Sequence, residues 1–71
     1  MTKLEVFIRQ NDIRVGRLAV WAGISRAHLL RLRLGAMEPT RPTMLALTTA
    51  AGDWLGRRVK VAELFDIGEQ P

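Results

Sequence analysis

Cysteine is absent from this 71-residue chain, so neither a disulfide framework nor a thiolate metal site can hold it together, and a cytoplasmic setting is the simpler expectation. Histidine occurs once, as His28, with no cysteine or second histidine to share an ion, so no metal centre is expected. Long apolar runs are missing too. The longest, Leu18 to Ile24, falls far below the ~18 residues that cross a bilayer, and the amino terminus lacks the hydrophobic segment of a secretory signal. Glycines stand singly, never as a GxGxxG or Walker loop, which removes nucleotide chemistry and any cofactor from the expectation. No linker, repeat or low-complexity tract interrupts the chain, so residues 1–71 read as one domain. A domain this short buries only ~60% of the surface its unfolded chain exposes, which leaves a thin core and no large catalytic cleft.

What is present folds: 48% apolar and 25% charged residues are ordinary for a globular domain. The net charge is +4. Between Arg14 and Arg41 six arginines face one glutamate, a net +5, while the rest of the chain sums to −1. A positive excess confined to the middle third is the footprint of a phosphate-rich partner; the plainer alternative is a solvated face kept basic for solubility.

Turn signals divide the chain into four or five short helices with no confident strand. Thr2 followed three residues later by Glu5 matches a capping box, and Leu4, Phe7 and Ile8 form the stripe of a first helix, Lys3 to Gln10. Asn11-Asp12 breaks it. Val15 to Ala22 is a second helix ending at Gly23, and Ser25 caps a third, Arg26 to Leu34, which closes at Gly35. Thr40 or Arg41 caps a fourth helix with Pro42 in its first turn and Met44, Leu45, Leu47, Ala50 and Ala51 on its buried side. Gly52 and Gly56 flank its end. A last helix covers Val61 to Phe65, with an extended alternative at Arg57 to Val61 and a disordered tail at about 66–71.

The segment from Arg14 to Gly35, R-V-G-R-L-A-V-W-A-G-I-S-R-A-H-L-L-R-L-R-L-G, carries the functional signal. Two helices crossing steeply over a short turn need a small residue where they approach, which Ala19 supplies, and Gly23 takes the turn. Leu18, Ile24, Leu29 and Leu32 plug the space beneath. Arg26, Ala27, His28, Arg31 and also Arg33 are left outward as a cationic face of about major-groove width.

These residues carry a resemblance. Ile13, Leu18-Ala19, Ala22-Gly23-Ile24-Ser25-Arg26, Leu29, Arg31-Leu32, Gly35, Glu38-Pro39-Thr40 and Glu63-Leu64-Phe65 resemble the lambda-repressor-like helix-turn-helix regulators of the Cro or XRE type, over Leu4 to Phe65. The resemblance implies an all-α, five-helix DNA-binding domain with its helix-turn-helix at about 15–34. It implies a homodimer on double-stranded DNA, with the third helix in the major groove and a dimer contact around Trp54 to Val61. Arg26, Ala27, His28 and Arg31 then read base edges, and Ser25 and Arg41 touch the backbone or minor groove; Arg14 and Arg17 complete the DNA-binding set. A phage or plasmid repressor, working in the cytoplasm at the nucleoid, is the expected function.

Departures from the family pattern are local. Val15 stands where the family usually has glutamine, Arg14 replaces a Ser/Thr cap, and Gly16 costs its helix up to ~1 kcal/mol relative to alanine. Arg33 stands where many relatives carry an acid. Leu30 and Leu34, with Val20 and Trp21, add apolar surface that a lone DNA-binding domain of this size does not require. That surface supports a rival reading, a protein-interaction module or toxin-neutralising antitoxin on the same fold. For Arg26 and Arg31 the alternatives to base reading are a phosphate clamp or a free charge, and for His28 an idle surface position. Ser25 and His28 lie one turn apart, yet no oriented acid or oxyanion loop accompanies them. Capping explains Ser25, and no enzyme is expected. Trp21 and Trp54 read as packing or dimer-contact residues rather than base-stacking platforms.

Overall fold

Local capping chemistry sets the helix boundaries in the computed structural model, which describes residues 1–67. The elements are α1 (Lys3–Gln10), α2 (Val15–Ala22), α3 (Arg26–Leu34), α4 (Arg41–Leu55) and α5 (Val61–Leu64), with no strand among the described residues. Before α1 the Thr2 hydroxyl accepts the Glu5 N–H at 3.1 Å. The expected capping box is only half formed, because the Glu5 carboxylate turns away from the Thr2 N–H toward Arg9 and Arg33. Asn11 closes α1 by donating its side-chain amide to the Phe7 carbonyl, and Asp12 follows with φ 53°.

Three residues join α2 to α3. Gly23 takes φ 74°, a left-handed conformation that costs glycine little, and the Ser25 hydroxyl accepts the His28 N–H at 3.0 Å. Thr40, not Arg41, caps α4 by accepting from Thr43 N–H, and Pro42 sits in the first turn, where its missing N–H leaves no bond unmade. Gly52 does not end α4, which runs on to Leu55 and stops at Gly56. Residues 57–60 form a loop rather than a strand, and α5 ends one residue before Phe65. Of the expected tail, Asp66 and Ile67 are exposed and outside any helix, and 68–71 lie outside the described residues.

One leucine from each helix builds the centre. Leu4, Leu18, Leu29, Leu47 and Leu64 are the largest fully buried side chains, each contributing on the order of 2 kcal/mol by leaving water. Phe7, Ile8, Ile13, Ala19, Leu32, Ala50, Ala51, Val59 and Phe65 complete the core, and Ile24 and Met44 pack against it half-buried. Leu45 is a correction: it is 51% exposed, since its neighbour Leu47 takes the inward position and two residues along a helix point almost oppositely. The most extensive interhelical packing is between α2 and α4, and the small residues Ala19 of α2 and Ala50 and Ala51 of α4 are all in the core. Trp21 and Trp54 close the same seam, ring centroids 5.8 Å apart and tilted by 56°. No helix among the described residues is long and apolar enough to cross a membrane.

Candidate nucleic-acid interface

At about 100° per residue, the buried Leu29 and Leu32 fix which way α3 faces, and the opposite arc carries Arg26, Leu30, Leu34, Ala27 and Arg31 in that angular order. All five are exposed. Arg26 and Arg31 form the two margins of this arc, with Leu30, 47% exposed, and Leu34, 70% exposed, between them. Ser25 at the cap is exposed as well, while His28 is half-buried on the flank and its backbone N–H is committed to Ser25.

The start of α2 joins this surface through one close approach. The Arg26 guanidinium lies over Gly16 in the first turn of α2, so near that an added Cβ at Gly16 would stand 2.5 Å from its Nη2. This places Arg26 at the turn that begins at Arg14 and holds Arg17, both exposed. Arg14 caps α2 without a side-chain hydrogen bond. Arg41, also exposed, opens α4 and lines a different feature, a groove of about 790 Å³ shared with Lys3, Glu38, Met44 and Phe65, to which α3 lends only Leu32. The expected residues thus divide into Arg14, Arg17, Ser25 and Arg26 around the α2–α3 approach, Ala27 and Arg31 further round α3, and Arg41 on the groove.

Ion pairing sorts the cations. Among the described residues Arg9, Arg33 and Arg57 pair with carboxylates, whereas Arg14, Arg17, Arg26, Arg31 and Arg41 in the middle of the chain have no ion pair, nor do Lys3, Arg58 and Lys60 outside it. Arg33 corrects the sequence expectation that it belongs to the outward cationic face. Its Nε donates to Glu5 Oε1 at 2.6 Å and its Nη2 to Oε2 at 3.2 Å, a side-on bidentate grip from α3 to α1. Arg9 donates to the same carboxylate at 2.8 Å, and the Thr2 hydroxyl donates to the Arg33 carbonyl at 2.6 Å. The C-terminal turn of α3 is therefore bolted to the first turn of α1.

These bonds also set the charge state of Glu5. The Arg33 guanidinium, with help from Arg9, holds its pKa down at about 2 against the opposing effect of burial. On α5 Glu63 accepts the Lys60 N–H at 2.9 Å and pairs with Arg57, and these bonds lower its pKa.

Sequence reasoning missed three contributors. In the sequence Thr2 and Glu5 read as local capping residues, and nothing within a few positions of them announces a partner 28 or more residues away. In the sequence Gly16 reads only as a cost to its helix; a glycine in the first turn of an expected helix is the one sequence signal that something lies against it, and the structure shows no positive φ that would otherwise require it. Comparison of the chain with protein-family models, with curated proteins and with solved structures finds no match.

Proposed function

We propose that the chain is a sequence-specific double-stranded DNA-binding regulator of the Cro-like repressor kind, acting as a homodimer and presenting α3 to the major groove as the second member of a helix-turn-helix. The observation that carries this reading is the sorting of the arginines. The middle of the chain keeps Arg14, Arg17, Arg26, Arg31 and Arg41 exposed and free of carboxylates, while the arginine that serves the fold, Arg33, is the one drawn inward. Leaving this many guanidinium groups uncompensated on an 8.0 kDa domain raises its self-repulsion, and a polyanion relieves it.

The division of labour follows from position. Arg14 and Arg17 neutralise phosphates at the start of α2, and the backbone N–H groups there favour an anion. Arg26 and Arg31, on the margins of α3, reach guanine N7 and O6, for which a guanidinium has a matching fork of donors. Ala27 and Leu30 between them offer apolar contact to a thymine methyl. Arg41 contacts backbone or minor groove from the start of α4, and Ser25 does so from its cap.

Binding to random duplex DNA over a range of salt tests the class of partner: log affinity should fall linearly with log salt at about −0.9 per phosphate neutralised. Weak, salt-insensitive binding would refute it. Arg26→Ala should abolish preference at one base pair and leave random-duplex affinity nearly unchanged; equal loss on every sequence would make Arg26 a phosphate clamp. A second reading, docking of another protein or a toxin, is favoured by the exposure of Val20 (73%), Leu30 and Leu34. The interleaving of Leu30 and Leu34 with the α3 arginines means that such a partner would compete with DNA.

A further inference from the structure

Gly16 is an anomaly within α2. Glycine in a helix costs about 1 kcal/mol relative to alanine, and this glycine has no left-handed backbone conformation to require it. What it has is a neighbour. The three heavy atoms nearest to a Cβ built at Gly16 all belong to one group, the Arg26 guanidinium: Nη2 at 2.5 Å, Nε at 3.1 Å and Cζ at 3.2 Å. No side chain or backbone oxygen among the described residues accepts a hydrogen bond from that guanidinium, so the bare Cα of Gly16 is the surface it rests on.

We infer that Gly16 is the positioning residue for Arg26, and that the residue at this place in α2 decides where the guanidinium plane lies and hence which base pair Arg26 prefers. This rests on the reading of α3 as the DNA-contacting helix. The physical basis is planarity. A guanidinium recognises guanine through two parallel hydrogen bonds, which need its plane fixed in two dimensions, and an arginine swinging freely on its stem loses side-chain entropy when it docks. Seating the group against backbone before DNA arrives removes part of that cost. A methyl at position 16 cannot coexist with the present seat, yet the atom it displaces is the far end of a flexible side chain. The fold yields without strain and gains helix propensity, and the change falls on Arg26 alone.

The experiment uses the full chain as wild type, Gly16→Ala, Gly16→Ser, Arg26→Ala and the double variant Gly16→Ala/Arg26→Ala. Probes are a duplex selected from a random library, its single-base-pair variants, and random-sequence duplex. Gly16→Ala should melt at the same temperature as wild type or higher. It should lose about tenfold in affinity for the selected duplex, the scale of one well-oriented bidentate pair, with discrimination lost at the base pair that Arg26→Ala also stops reading. Random-duplex affinity should hold, and the double variant should bind no worse than Arg26→Ala. Without DNA, the Arg26 Nε–Hε resonance should shift in Gly16→Ala, which a purely structural glycine would not produce.

If Arg26→Ala abolishes discrimination while both Gly16 variants keep it, the positioning role is overturned and the DNA reading stands. An unshifted Arg26 resonance overturns it without any DNA present. If both position-16 variants unfold, Gly16 serves packing and the inference falls. Failure of Arg26→Ala to alter discrimination at any base pair removes the underlying reading together with it.

Discussion

Gly52 lies inside α4, three residues before its end, and a Cβ there would stand 2.8 Å from the Arg57 carbonyl oxygen. The chain folds back over this glycine: the N–H groups of Gly56 and Arg57 both donate to its carbonyl, at 2.8 and 3.1 Å. Unlike the guanidinium over Gly16, the Arg57 carbonyl belongs to backbone whose own N–H is tied to Gly52, so it cannot swing aside by itself. Gly52→Ala should therefore lose stability, a net of about 1–2 kcal/mol after the gain in helix propensity, seen as a lower denaturation midpoint. An unchanged midpoint would mean that residues 56–59 move freely away. The two substitutions are chemically identical and expected to have opposite signs. In the sequence both glycines were visible, but only as helix weakeners or terminators, because what lies against a missing side chain comes from elsewhere in the chain.

The helices themselves were legible to within a residue or so, since Thr2, Ser25, Thr40, Gly23, Gly35 and Gly56 announce ends through local hydrogen bonds and backbone preferences. How one element grips another was not. The Glu5 carboxylate, 7% exposed, joins α1 to α3 through Arg33, and no spacing rule reaches across that interval. Its folded pKa of about 2 lies below the ordinary 4.5, so the unfolded chain binds this proton more readily than the folded one. The stabilisation is complete above about pH 4.5 and is lost as pH falls toward 2. Glu5→Gln should flatten that limb of the acid-denaturation profile and lower stability at neutral pH by about 1.5–3 kcal/mol, the range for a hydrogen bond to a charged group. Identical acid limbs in the two proteins would show that other carboxylates govern acid unfolding. Because Arg33 and Thr2 hold the last turn of α3, the loss should also loosen the helix that carries Arg26 and Arg31.

At the scale of the molecule, the longest dimension is 34 Å, about one turn of B-form DNA, so under the proposed DNA-binding function a single copy would cover one half-site at most. A two-fold dimer is the economical way to lengthen the site. The segment 54–61, where the family resemblance puts the dimer contact, shows little apolar surface: Trp54 is taken up by Trp21, Val59 is in the core, and Arg57, Arg58 and Lys60 remain exposed. A two-fold contact there sets these cations against their copies. Sedimentation should show dimers at about tens of micromolar, strengthening with added salt if residues 54–61 make the contact and nearly indifferent to salt if Leu30 and Leu34 do. A monomer with and without DNA would remove the assembly altogether. The basic excess that suggests a polyanion was readable from composition alone; its division into partnered and unpartnered arginines required the fold.

The meeting of Trp21 with Trp54 has a practical consequence. Both indoles of the chain stand at one seam, so ultraviolet emission follows the docking of α2 onto α4 and little else. Far-ultraviolet ellipticity, by contrast, sums over every helical turn. The chain thus carries two built-in reporters of different reach, and their agreement or divergence during melting tells whether the arginine-bearing half comes apart with the remainder or ahead of it.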